Sequence, residues 1–147
     1  MGSLGIRLGI IAVILVAGFL LRQFVSGAAG DLAVGDCFDI PIGSSGVVEE
    51  VAHHPCTDAH DAEVVVVGNY EPATDAYPSE SELTDFETDR CITAFNTYTG
   101  LDFNTDELYG MGTLEPTADG WADGDHEITC YLHRLDATKL TVSLKKT

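Results

Sequence analysis

The sequence predicts an α+β domain: a mostly antiparallel sheet with one main packed helix over about residues 79–99, two disulfides, and a transmembrane helix preceding it. Three observations lead there. Strand-like segments stand before and after a single long amphipathic segment. Four cysteines occur in a chain that begins like an exported one. An unbroken apolar run, residues 8–21, is bounded by Arg7 and Arg22 and resumes at Phe24 and Val25.

With Leu4 to Ile6 added, that apolar stretch approaches the ~20 residues of a membrane-spanning helix, and both arginines can snorkel towards the interfaces. A secretory signal peptide is the competing reading, because Ser26-Gly27-Ala28-Ala29 supplies small residues for cleavage. Arg22 and the apolar Phe24-Val25 beyond it favour a retained anchor. The expected organisation is an anchor over residues 1–25, a short linker over 26–31 and an extracytoplasmic domain over 32–147. The N-terminus is expected in the cytoplasm.

Residues 34–40 and 47–51 read as a hairpin across a loop containing Pro41 and Gly43-Ser44-Ser45-Gly46. Residues 63–68 read as a buried strand through four consecutive valines. The helix follows. Ser79 and Glu82 form a capping box, Pro78 precedes it, and Gly100 supplies the stop. Leu83, Phe86, Cys91, Ala94, Phe95 and Tyr98 recur at three- and four-residue steps and mark the core face. Further strands are expected at 108–114, at 126–135 and at 140–144. In the second of these Ile128, Cys130 and Leu132 share one face. Spacing alone permits three pairings of Cys37, Cys56, Cys91 and Cys130. The inward-facing helix and strand favour Cys91 with Cys130, which leaves Cys37 with Cys56 to brace the early strands.

All 24 acidic residues follow the apolar run, against five basic ones, Arg90, Arg134, Lys139, Lys145 and Lys146, so the exported part carries 5 − 24 = −19. Such a surface repels nucleic acid and anionic polymers unless a divalent cation bridges them.

Several segments carry a family resemblance in order. They are Val34-Gly35-Asp36-Cys37, residues 56–64, Tyr77-Pro78-Ser79-Glu80, Cys91 with Phe95 and Tyr98, Pro116-Thr117, Trp121 with Gly124-Asp125, Cys130, and residues 140–145. In this the chain resembles the septum-formation domain family, exported or membrane-anchored envelope proteins mainly of actinobacteria. The resemblance covers about residues 32–145. It implies an envelope location and an association with cell division, and it supplies no reaction or catalytic residue.

The residues themselves offer little chemistry. His53, His54, Cys56 and His60 with Asp58 and Asp61 have metal-ligand types but no recognised spacing once Cys56 is in a disulfide. His60 is better read as closing the turn into the next strand. Asp119, Asp123, Asp125 and Glu127 around Trp121 are weak calcium candidates without the EF-hand order, and a turn is the simpler reading. No nucleophile elbow and no Cys-x-x-Cys spacing is present. The sequence thus favours a non-catalytic interaction module in envelope or septum formation, with no cofactor and with unidentified envelope or division proteins as partners. Tyr70, Tyr77, Tyr109 and Trp121 are its candidate binding surface. Cation-dependent binding of wall polymer, or a wall-modifying enzyme using carboxylates, are the alternatives.

Overall fold

Four consecutive valines, Val64 to Val67, lie in a strand covered on both faces, and the domain is arranged around it. The computed structural model of the chain describes residues 26–41, 48–71 and 74–147. The described residues form one six-stranded sheet: β1 (Ser26–Ala28), β2 (Cys37–Asp39), β3 (Glu50–His54), β4 (Ala62–Asn69), β5 (Tyr109–Leu114) and β6 (Glu127–Arg134). Their order is β1-β3-β2-β4-β6-β5, and every neighbouring pair is antiparallel. Helix α1 (Glu80–Thr99) packs on one face, and the short helix α2 (Ala118–Ala122) lies between β5 and β6. The α+β fold with an antiparallel sheet, one main helix and two disulfides is therefore present.

A bulge in β4 explains the valine run. The register with β6 shifts between Val64, opposite Tyr131, and Val66, opposite Cys130. The extra residue turns both Val65 and Val66 towards α1, where they meet Cys91, Phe95, Tyr98, Cys130 and Leu132. Val64 and Val67 face the other way, into a second core with Phe38, Val51, Ala62 and Ala29. A strand buried on both sides reads as continuous apolar sequence rather than alternation.

The helix ends as its sequence predicts. Ser79 Oγ accepts from the Glu82 backbone N–H while the Ser79 N–H donates to Glu82 Oε2 at 2.9 Å, and Gly100 closes the helix at φ 75°. Leu83, Cys91, Phe95 and Tyr98 are buried. Cys91 is bonded to Cys130, and Cys37 to Cys56, so both expected pairings form.

Four expectations shift. Val34 and Gly35 form a turn ahead of β2, because Gly35 takes φ 96° and donates its N–H to the Val64 carbonyl at 2.9 Å. β3 runs on to His54, since His53 and His54 pair with Phe38 and Cys37; Val47 lies outside the described residues. Within the segment expected as a short linker, residues 26–28 form β1 and Ala29–Asp31 a 3-10 turn. Ser26, Gly27 and Ala28 pair with Ala52, Val51 and Glu50, and a Cβ at Gly27 would stand 2.6 Å from His53 Nε2, so a side chain there would make the His53 ring move aside.

The last strand, expected at 140–144, is instead a strap. Leu140 makes one isolated bridge with His60; beyond it Ser143 and Leu144 bond to the Glu63 side chain and Lys146 donates its N–H to the Tyr98 carbonyl. The apolar run expected to anchor the chain lies outside the described residues. Among the described residues no helix is long and apolar enough to cross a membrane.

Candidate functional site

At the junction of α1 with the end of β5, packing brings two carboxyl groups together with no cation of the described residues between them. Glu87 lies one helical turn before Cys91, which the disulfide ties to Cys130 in β6; β5 is the next strand and delivers Thr113 and Glu115 to the same spot. Glu87 Oε1 is buried and receives no hydrogen-bond donor, while Thr113 Oγ1 donates to Glu115 Oε1 at 3.1 Å. Burial, and after it the neighbouring Glu115 carboxyl, push Glu87 up to about 7. Tyr77 stands at the rim and donates its hydroxyl to the Pro116 carbonyl at 3.1 Å; burial, then Glu115 and Glu87, raise its phenol above the ordinary value. Two acids in contact cannot both ionise cheaply, so the pair either keeps a proton or takes a cation in its place.

A pH-dependent stability follows. Between about 4.5 and about 7 the folded chain holds a proton on Glu87 that the unfolded chain has released, so stability falls as pH rises through that window and levels off above it. Glu87→Gln removes the penalty. Because the group is half-exposed and screened, the gain at pH 8 is expected to be about 1–2 kcal/mol, several degrees in melting temperature, with almost none at pH 5. Thermal melts of both proteins at the two pH values check this. Equal shifts at both would show that Glu87 does not titrate in the window.

Beside the pair opens a cleft of about 630 Å³ between residues 29–30, 48–49 and the α2 turn, lined by Glu49, Asn69, Glu115, Thr117, Asp125 and Glu127 among others. No Lys or Arg lines it among the described residues. Four of the domain's five cations are engaged elsewhere: Arg134 with Asp136 at 2.8 Å, Lys139 with Asp39 at 2.5 Å and Asp61 at 3.0 Å, Arg90 over the Phe86 ring and Lys145 over the Tyr98 ring. Burial and then Asp125 raise Glu127 above the usual carboxylate range. The cleft is therefore a negatively charged concavity with no Lys or Arg among its described lining residues, which concentrates cationic ligands.

The residues singled out from sequence divide sharply. Tyr70 and Trp121 are not surface residues: they are 6 % and 2 % exposed and form a third core with Leu83 and Ile128. Their rings stack edge-on at 5.6 Å, and Trp121 Nε1 donates to the Thr74 carbonyl at 3.0 Å, so the polar edge is satisfied inside. Tyr109 is half-buried against Phe95, and only Tyr77, at 40 %, remains a surface aromatic. Asp119 sits in the first turn of α2, Asp123 caps its end, and Asp125 Oδ1 accepts the Glu127 N–H at 3.1 Å. These are turn roles; of the four, Asp125 and Glu127 line the cleft.

The histidine-rich segment disperses in the same way. Cys56 is in its disulfide, His54 bonds Asp39 at 2.9 Å, and His53 lies over Gly27. His60 is fully buried; its Nδ1 donates to the Asp58 carbonyl at 2.8 Å and its Nε2 has no partner. Ligand atoms of His60, Cys37 and Glu63 lie within 4.8 Å of one another. Cys37 is already bonded to Cys56, and Glu63 accepts from Tyr98 Oη at 2.5 Å, Ser143 Oγ at 2.5 Å and the Leu144 N–H at 2.8 Å. That cluster is a structural knot: it ties α1 and the C-terminal strap to β4. Sequence reading missed it, and missed the Glu87–Glu115 pair, since neither set has a fixed spacing.

Comparison with curated proteins and with solved structures finds no match. The model of one protein family, described as septum formation, matches residues 34–147, which takes in both disulfides, α1, the carboxyl pair and the strap. The chain belongs to the septum-formation family.

Proposed function

We propose that the chain is a non-catalytic, membrane-anchored envelope protein whose extracytoplasmic domain takes part in septum formation by binding another envelope or division protein. The observation that carries this reading is the acidic cleft: a concave face with Glu49, Glu115, Asp125 and Glu127 and, among the described residues, no Lys or Arg, held on a sheet stapled by two disulfides. The family match supports the cellular process. The contact between Glu87 and Glu115 makes that pair unsuited to glycosidase chemistry, which needs its two carboxyl groups roughly 5–9.5 Å apart.

Crosslinking in intact cells, followed by mass spectrometry of what is recovered with the anchored protein, tests the reading. Envelope or division proteins are expected, and they should be lost when Glu115→Lys and Glu127→Lys reverse the charge of the cleft in a chain that still folds. Recovery of the protein alone, or with wall fragments only, would sink it. Loss of wall-polymer binding on chelation would favour a bridging divalent cation instead.

A further inference from the structure

The two edges of the sheet are not alike. β1 is three residues long and continues directly from the N-terminal segment, so it offers little to a passing strand. β5 is six residues long, Tyr-Gly-Met-Gly-Thr-Leu, with no charge and no proline in a chain of net charge −17, and no described strand pairs with its outer side. Asp106 Oδ1 accepts the Tyr109 N–H at 2.9 Å at the start of the strand, and between Gly110 and Leu114 the edge has no charge, no proline and no partner strand among the described residues. Along that edge, under the overhang of α1, lies a cavity of about 260 Å³ lined by Ile92, Phe103, Met111 and Thr113 and ending at Glu87. Apolar walls thus give way to the buried, donorless Oε1 of Glu87 and the Glu115 carboxyl.

We propose that the free edge of β5 accepts an extended peptide segment of a partner protein as a seventh strand, with an apolar side chain entering the cavity and a Lys or Arg two residues away reaching Glu87 and Glu115. This rests on the reading of the domain as an interaction module and names the chemistry its partner must have. In an extended strand alternate side chains share a face roughly 7 Å apart, which matches a site that is apolar at one end and acidic at the other. Backbone pairing supplies the contact, and the cation answers two carboxyl groups that otherwise must share a proton.

The occupant is another protein. A second copy pairing edge to edge would bring an uncharged strand and a like-charged domain, leaving the carboxyl pair unanswered. In sequence, this chain's own Arg22 and Phe24 come four and two residues before β1, and β1 is the edge opposite β5. Five strand spacings amount to about 24 Å, whereas four extended residues reach about 14 Å. Lys145 and Lys146 are held against Tyr98 at the far end of α1.

The test uses the full chain in lipid nanodiscs and a labelled peptide, Thr-Leu-Thr-Arg-Thr-Val-Thr, with its Gln-for-Arg twin, followed by fluorescence anisotropy and amide exchange. The Arg peptide is expected to bind at least ten-fold more tightly than the Gln peptide, and to slow exchange at Tyr109–Leu114. Glu87→Gln with Glu115→Gln should abolish the difference; should the double variant fail to fold, Glu115→Gln alone, at an exposed position, should reduce it several-fold. Equal binding of the two peptides, protection elsewhere than β5, or concentration-dependent dimerisation that protects β5 without peptide would overturn the proposal. Capture of envelope proteins in cells that survives Glu115→Gln would overturn this site and leave the interaction module standing; capture of none would overturn both.

Discussion

Replacing Glu63 with alanine is expected to destabilise the domain by about 4 kcal/mol and to free the C-terminal strap. The carboxylate is fully buried and accepts from Tyr98 Oη, Ser143 Oγ and the Leu144 N–H, one donor from the last turn of α1 and two from the strap. Hydrogen bonds to a charged group contribute about 1.5–3 kcal/mol each, and truncation also strands a buried tyrosine hydroxyl. Burial, and then the nearby Glu63 carboxylate, already hold the Tyr98 phenol far above its ordinary value, so it stays a donor at any working pH. Tyr98→Phe removes one of the three contacts and should cost about 2 kcal/mol. Urea unfolding gives the stabilities, and amide exchange at Leu144 and Lys146 reports the strap. If Glu63→Ala loses less than about 1 kcal/mol, or leaves that exchange slow, the strap is held by Leu140 and Leu144 packing instead.

That knot also shows where sequence reading stops. Glu63 looked like the polar start of an apolar strand, and its partners stand 35, 80 and 81 residues away. Local patterns name a residue's own element but not the element that arrives from elsewhere. The same limit hid the carboxyl pair, since Glu87 is one of many acidic residues until β5 is laid beside β6. Elements with local signatures were legible: the Ser79 capping box, the Gly100 stop, the inward faces of α1 and β6, and through them both disulfides. The aromatic surface failed for a physical reason. Tyr70 and Trp121 sit next to glycines and acids, which mark loops, yet loop aromatics of this size bury their rings wherever a neighbouring element leaves room, here under Leu83 and beside Ile128. Residues 140–144 alternate like a strand, but after Leu140 their backbone groups turn to a side chain and a helix end rather than to another strand.

Removing the Cys91–Cys130 bridge by alanine at both positions is expected to cost about 4 kcal/mol, against about 3 kcal/mol for Cys37 with Cys56. Closing a loop of 39 residues rather than 19 restricts the unfolded chain somewhat more, though the dependence on length is only logarithmic. Position adds to the difference. Cys91 and Cys130 are 3 % and 1 % exposed in the core between α1 and the sheet, so the double alanine variant also thins the packing around Phe95 and Leu132; in the other pair Cys37 is equally buried but Cys56 lies partly exposed beside the Gly35 turn. Losing the helix–sheet bridge should further loosen the spacing between Glu87 and Glu115, because Cys91 fixes that turn of α1 over β5 and β6. The variant's stability should then fall less steeply between pH 5 and pH 8 than that of the parent chain, as the pair separates and Glu87 returns towards its ordinary value. Urea titrations of both variants at the two pH values measure the bridge energies and this coupling together. An unchanged pH slope with the full loss of stability would mean that packing alone, without the disulfide, holds the carboxyl groups in contact.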